Sequence, residues 1–260
     1  MYKRRQVIHE ESLVSIIMPA YKASDYIGNS IDSVLSQTYQ DWELIIADDC
    51  SPDNTREIIR SYASRDKRIK PIFLEKNGGP AFARNAALES AKGRWVAFLD
   101  SDDVWMPDKL SKQKRFHLRT GATLTFTQFR RVSADGFEVG HLIEIPDTID
   151  YKELLGNTAI ATSTVLVDRS LLVCPIKMKK VYYDDFVCWL DLLRAGGLAY
   201  GLREDLMRYR VLKKSVSRNK INSAMQVWKI YRNHFDFGVF FSLALILRWG
   251  KNALLKYRKF

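Results

Sequence analysis

Asp100-Ser101-Asp102-Asp103 sets three carboxylates within four residues, directly after the apolar run Trp95-Val96-Ala97-Phe98-Leu99. The run is rich in β-forming residues and reads as a buried strand. Carboxylates crowded at the end of such a strand repel one another and are costly to desolvate, so positive charge is needed beside them. A hard divalent cation is the simplest source, and Mg2+ is commonly held by one or two carboxylates together with substrate phosphates. The competing reading is a solvated acidic loop that caps the next helix.

Other groupings could do chemistry as well. In Asp48-Asp49 two adjacent acids cannot both point at one ligand. One can accept hydrogen bonds from a nucleobase N–H or a ribose hydroxyl while the other caps the helix beginning near Pro52. In Asn77-Gly78-Gly79-Pro80-Ala81-Phe82-Ala83-Arg84-Asn85 the glycines let backbone approach a ligand closely. Arg84, in the first turns of a helix, then either meets a phosphate or a base or is a surface arginine after an ordinary turn. In Tyr182-Tyr183-Asp184-Asp185, the dipole of the helix that follows accounts for Asp184, which leaves Asp185 as a candidate general base. Arg208-Tyr209-Arg210 with Lys213-Lys214-Ser215 is a basic segment, either a loop that closes over phosphates or a solvated connector.

These side chains need a scaffold, and the first hundred residues alternate regularly enough to supply one. Leu13–Met18, Trp42–Ala47, Ile69–Leu74 and Trp95–Leu99 read as strands. Between them, 25–36, 52–63 and 80–91 carry helical spacing. Strand and helix in alternation imply parallel strands with right-handed crossovers, and near-continuous apolar strands imply a sheet covered on both faces. Ligands of such sheets bind beyond the carboxyl ends of the strands, where strand order reverses. Pro19-Ala20-Tyr21, Asp48-Asp49, Asn77–Pro80 and Asp100–Asp103 all lie at those ends. The second half is less regular. Thr123–Phe129 and Phe137–Ile143 suggest a hairpin around Ala134-Asp135-Gly136, Thr162–Val167 suggests a further strand, and Phe186–Ala195 suggests a helix ended by Gly196-Gly197.

Composition bounds the rest. A chain of 260 residues, 47% hydrophobic and 27% charged, is long enough to bury a substantial core and is not a disordered composition. Cys50, Cys174 and Cys188 are odd in number and far apart, and the four histidines are scattered. Neither a zinc site nor a disulfide framework is expected, which favours a reducing compartment. The N-terminal segment has positive charge but no apolar stretch behind it, so it does not read as a signal peptide. The formal net charge is +11, and residues 221–260 carry seven Lys or Arg against one acid. A basic tail fits nucleic acid, an anionic membrane surface or a solvated helical face. Acids gathered at the strand ends disfavour nucleic acid.

Taken together, these segments resemble the family 2 glycosyltransferases, inverting enzymes of the GT-A fold. The likeness rests on Val14-Ser-Ile-Ile-Met-Pro-Ala-Tyr-Lys, Asp48-Asp49-Cys50-Ser51, Asn77–Asn85, Phe98–Asp103 and Met106-Pro107-Asp108-Lys109-Leu110. Lys22 stands where the family commonly has Asn, and Cys50 where it has Gly. Asp184-Asp185 followed by Trp189-Leu190 is similar to the family's Glu-Asp segment, which puts Asp185 at the position of the catalytic base. Arg208-Tyr209-Arg210 resembles a late Tyr-Arg segment, with Leu212 in place of a frequent His. The resemblance implies an α/β chain with a Rossmann-like nucleotide-binding half and a mixed central sheet. It implies a nucleotide-sugar donor, usually a UDP-sugar, with Pro19, Tyr21 and Asp49 around the base. Asp102 would bind Mg2+ or Mn2+ at the diphosphate, and Asp100 and Asp103 would contact ribose, sugar or the metal shell.

The expected organisation is a glycosyltransferase unit over 1–218, with a donor half at 13–110 and an acceptor half at 111–218. A basic helical extension, 219–260, follows. Phe235–Trp249 is too short to span a bilayer comfortably. Phe240, Leu243, Leu247, Leu254 and Tyr257 can share one helix face, with basic residues clustered after Leu247, as in a helix lying on a membrane interface. Packing on the main domain or on a second copy is the competing reading. The resemblance implies a lipid-linked glycan acceptor at the inner face of the cell membrane.

Overall fold

The computed structural model describes residues 12–212 and 220–256, and the side chains of residues 220 and 253–256 lie outside it. The alternation expected for the first hundred residues is present: β1 (Val14–Ala20), α1 (Ile27–Leu35), β2 (Trp42–Asp48), α2 (Thr55–Arg65), β3 (Ile69–Phe73), α3 (Pro80–Ser90) and β4 (Trp95–Phe98). Then come β5 (Val104–Trp105), α4 (Lys109–Thr120), β6 (Leu124–Val132), β7 (Val139–Ile143), β8 (Thr148–Ile149), α5 (Tyr151–Leu155) and β9 (Leu166–Asp168). The chain continues through α6 (Asp184–Leu193), β10 (Ala199–Arg210), α7 (Lys220–Lys229) and α8 (Val239–Lys256).

The described strands form one ten-stranded sheet in the order β3-β2-β1-β4-β9-β6-β10-β5, with β7 added to β6 and β8 to β10. β1 pairs in parallel with both β2 and β4. The chain therefore moves outward from β1 to β3 and returns to β1's other side, which puts the switch point between the carboxyl ends of β1 and β4. β9 then enters antiparallel against β4, and the sheet becomes mixed. Period-two alternation sorts the strand residues between two cores. Ile17, Ile45, Val96 and Phe98 face one, and Ile16, Leu44, Ile46, Ala97 and Leu99 face the other. This is why β1, β2 and β4 read as continuous apolar runs rather than as alternating ones.

Three features depart from the sequence reading. Thr162–Val167 is not one strand: Thr162–Thr164 is a single 3₁₀ turn, and the strand begins at Leu166. β10 was not anticipated as a strand. It carries Arg203, Glu204, Asp205 and Arg208, and its parallel pairing to β6 shifts register twice, so no simple period survives in its sequence. The helix expected near Pro52 starts at Thr55, and its first turn is held by Asp53, whose carboxylate accepts from the Thr55 N–H at 3.3 Å.

The helices after residue 219 share the main core. Val227, Ile230, Tyr231, Phe235 and Leu245 lie in the same cluster as Trp189 and Phe126. Asn252 donates to the Gly156 carbonyl at 2.7 Å, which ties α8 to the end of α5. Among the described residues, no helix is long and apolar enough to cross a membrane.

Candidate active site

Five elements meet at the β1–β4 switch point. From β1 come Pro19 and Tyr21, the latter 44% exposed with the Lys22 ammonium 5.3 Å from its ring centre. From the end of β2 comes Asp49, buried, whose two carboxylate oxygens accept the Gly78 and Gly79 N–H groups at 2.8 and 2.7 Å. Asp49 therefore holds the glycine turn in place, where a direct bond to a base was expected, and acts on the crevice through that turn. Gly79 has φ +87°, and a side chain on Gly78 would run into Phe82, so the turn needs both glycines. Asp48 does not cap the helix as expected. It is fully buried, accepts the Ser51 N–H at 3.2 Å and pairs with Arg56.

Arg84 is a buried clamp. Its two terminal nitrogens donate to Asp100 and Asp184, each at 2.7 Å. The expectation that it reaches a phosphate or a base gives way to this double ion pair, which takes up both ends of the guanidinium fork. Its neighbour Asn85 completes the grip, bonding the Met178 carbonyl and N–H at 2.8 and 2.9 Å. α3 can lie this close because Ala81, Ala83 and Ala87 face the sheet. Asp184 is thus more than a helix-dipole acid. Burial raises its pKa, an effect that the adjacent Arg84 opposes.

The acidic segment divides by environment. Asp100 stands at the mouth of the crevice, 29% exposed at the side chain, with its N–H on Ser163 Oγ at 3.0 Å. Asp103 is buried, and its two oxygens accept from Ser163 Oγ at 2.6 Å and the Arg210 N–H at 3.0 Å. With both oxygens held by these partners it anchors the loop, where a contact to ribose, sugar or the metal shell was expected. Burial, with Asp102 and Asp100 nearby, pushes its pKa well above the usual carboxylate range. Asp102 bonds Arg210 Nε through its backbone carbonyl at 2.9 Å, and among the described side chains none pairs with its carboxylate. Burial, then the charge of Asp100, raise Asp102 to about 6.

That pattern fits a divalent cation delivered with its phosphates. Among the described residues, no three His, Cys, Asp or Glu side chains are placed to form a metal cage. A Mg2+ site at phosphates needs only one or two protein carboxylates, which Asp102 and Asp100 would supply.

Asp185 opens α6 beside this cluster. Its Oδ2 accepts Thr162 Oγ1 at 2.5 Å and its Oδ1 accepts the Phe186 N–H at 2.7 Å. α6 is pinned to β4 by Trp189, whose ring meets Phe98 edge-on at 5.1 Å. An aromatic pair of this kind adds about 0.5–1.5 kcal/mol beyond burial. The Thr162–Thr164 turn is a hub that sequence reasoning missed. Thr162 touches Asp185, Ser163 touches Asp100 and Asp103, and the Ser163 carbonyl accepts Trp105 Nε1 at 2.7 Å. A Thr-Ser-Thr tripeptide inside an apolar stretch was the available signal, and it passed for strand. Arg210 was singled out with its basic segment, and here it fastens the Asp102–Asp103 loop and lies 5.2 Å from the Tyr26 ring centre. Lys213-Lys214-Ser215 lies outside the described residues.

A parallel half-sheet with a switch-point crevice, continued by antiparallel strands and fronted by strand-end acids, defines a glycosyltransferase of the GT-A fold. Solved structures agree on that fold. TarS residues 1–349 of S. aureus, in complex with UDP-GlcNAc, superposes with a TM-score of 0.69 at 20% identity, covering 94% of this chain and 73% of that one. A mannosyltransferase of Pyrobaculum calidifontis, in complex with GDP-Man and Mn2+, gives 0.69 at 18% identity, over 92% and 72%. The chain belongs to glycosyl transferase family 2, whose model matches residues 15–172. It is 41% identical to TuaG, a Bacillus subtilis glycosyltransferase named for teichuronic acid biosynthesis, over 94% of this chain and 97% of that one. It is 38% identical to WfgD of Escherichia coli, named as a UDP-Glc:alpha-D-GlcNAc-diphosphoundecaprenol beta-1,3-glucosyltransferase, over 85% and 86%.

Proposed function

We propose that this enzyme transfers a sugar from a UDP-sugar, with inversion, to a hydroxyl of a lipid-linked glycan during synthesis of a bacterial surface polysaccharide of O-antigen or capsule type. The observation that carries the reading is the placement of Asp185 at the head of α6, fixed by Thr162 and joined through Asp184 and Arg84 to Asp100. A base and a strand-end acid pair are held on one crevice by one clamp. The names of the relatives TuaG and WfgD support the pathway and the lipid-linked acceptor.

In this reading residues 13–110 hold the donor, 111–218 the acceptor, and within 219–260 the exposed side of α8 faces the membrane. Pro19, Tyr21 and the glycine turn held by Asp49 receive the base. Asp100 faces the ribose or sugar, and Asp103 fixes the loop that presents Asp102. Asp102 would hold Mn2+ or Mg2+, which would supply positive charge against the departing diphosphate. Asp185 takes the proton of the acceptor hydroxyl. The acceptor oxygen bonds to the sugar C1 as the C1–O bond to the diphosphate breaks, and the electron pair leaves with UDP. Attack from the side of Asp185, opposite the leaving group, inverts the anomeric centre.

Asp185→Asn tests the assignment. A positioned base contributes about 10²–10⁴-fold. Transfer in the variant is expected to fall by at least that range while UDP binding, measured calorimetrically with Mn2+, stays within twofold. Wild-type turnover would remove Asp185 from the mechanism.

α8 supports placement on the inner face of the cell membrane. Its inner side, Ser242 and Leu245, is buried, while Phe240 is 89% and Leu247 75% exposed, with Leu243 on the same side. Leu254 and Tyr257, assigned to that face from sequence, lie outside the described side chains.

A further inference from the structure

A cleft of about 470 Å3 lies between the segment leading into α6 and the far end of α7 with the turn that follows it. Its polar lining is Lys180, Tyr182, Gln226, Lys229, Asn233 and His234. No acid lines it. Lys180 and Lys229 are exposed, and neither forms an ion pair among the described residues. Lys179, just behind, is the one lysine of the group that is neutralised, by Asp191 at 2.8 Å, and its ammonium sits 3.2 Å from His234 Nε2. The walls are built, not accidental. Tyr183 donates to Ser223 Oγ at 2.7 Å, Asn222 donates to the Tyr182 hydroxyl at 3.0 Å, and the two tyrosine rings meet edge-on at 5.0 Å. The far wall is a π-helical turn, Ile230–His234, an irregularity often found at functional sites.

We infer that this cleft is the acceptor-anion subsite, taking the diphosphate that joins the acceptor's first sugar to its isoprenoid. The inference rests on the lipid-linked acceptor reading above and adds a location to it. The order of parts along the chain matches the order of parts in such an acceptor. Tyr182 is three residues from Asp185, a span of at most about 11 Å, so a sugar hydroxyl at the base and an anion in the cleft are within one small molecule's reach. On the other side, four residues separate His234 from the start of α8, whose exposed Phe240, Leu243 and Leu247 offer an apolar surface for the isoprenoid. Two lysines and an amide-rich wall suit two adjacent phosphates, since ammonium groups bind phosphate as point charges and amides add directional donors. The donor diphosphate is provided for elsewhere, at Asp100–Asp102.

The test compares the full-length enzyme with the double variant K180Q/K229Q on two acceptors: N-acetylglucosaminyl diphosphate on a short isoprenyl chain, and the same sugar on a neutral alkyl chain. Expected is a rise of at least tenfold in KM for the diphosphate acceptor, with the donor KM and the neutral-acceptor KM within twofold of wild type. An unchanged diphosphate-acceptor KM, or an equal loss on both acceptors, overturns the subsite. A wild type that uses neither acceptor overturns the lipid-linked reading itself and the subsite with it. That outcome is separate from one in which the wild type uses the diphosphate acceptor and the double variant matches it.

Discussion

Cys50 occupies a backbone position that suits glycine, with φ +60°, and Lys22 another at φ +52°. At both sites the family resemblance led to a different residue, Gly and Asn, and both of those tolerate the left-handed region better. The left-handed conformation costs an ordinary L-residue about 1–2 kcal/mol, while glycine gives back about 0.5–1 kcal/mol in unfolded-state entropy. Cys50→Gly is therefore expected to stabilise the fold by about 0.5–1 kcal/mol, read as a higher urea midpoint at unchanged slope. A lower midpoint would show that the long Sγ contact to the Glu75 carbonyl, at 3.6 Å, outweighs the strain. At the same scale, the sequence singled out Asp185 and Asp102 but could not give the partition among the acids. Asp100, Asp102 and Asp103 are the same residue type within four positions. What separates them is that Ser163 and Arg210, 60 and 107 residues away, bond both oxygens of Asp103, while no described side chain pairs with the Asp102 carboxylate.

Between elements, Arg84 is the principal joint. It links α3, the end of β4 and the start of α6, and it lies 7% exposed against an Asp184 only 4% exposed. Removing one partner of a buried pair leaves an uncompensated charge and costs about 3–5 kcal/mol. Arg84→Met is expected to lose that much stability by urea denaturation. Arg84→Lys is expected to recover only part, since a single ammonium cannot bridge two carboxylates as a planar fork does. Full recovery by lysine would reduce the joint to simple charge balance. The donor-binding elements were legible because parallel strands buried on both faces write themselves as apolar runs. β10 and the Thr162–Thr164 turn were not, because their residues are chosen for partners far along the chain, not for a local period.

For the whole molecule, acid stability has opposed contributions, and His117 and Asp102 represent the two signs. His117 is buried between α4, β4 and β6, 4.9 Å from the Trp95 ring, with Nδ1 3.2 Å from Thr125 Oγ1. Burial lowers its pKa to about 4, with Asp168 and Arg94 as smaller influences. The unfolded chain then binds the extra proton first, so this group's stabilisation is lost as pH falls from about 6.5 to 4, roughly 3 kcal/mol in all. Asp102, raised to about 6, works the other way, since protonation below that pH relieves the folded state. The diagnostic is thus a difference: His117→Gln is expected to flatten the loss of urea stability between pH 6.5 and 4 relative to wild type, and parallel curves would count against the assignment. The exposed side of α8 gives a second whole-molecule test. Flotation with anionic vesicles is expected to recover the full-length protein and to lose the variant F240S/L243S/L247S, whose buried side is intact; equal recovery of the two would detach α8 from the membrane reading.

The sequence by itself determined the parallel half of the fold: its strands, the helices between them and the polar or glycine-rich loops at the strands' carboxyl ends. Apolar runs and turn residues are local signals, and the switch point follows from their order. The tertiary structure alone decided that Asp103 is held inside its loop, that Arg84 and Asp49 hold other groups in place, and that Lys180 and Lys229 share one cleft. Each of these depends on partners dozens of residues apart, and hydrogen bonding and burial are assigned by packing, not by spacing along the chain.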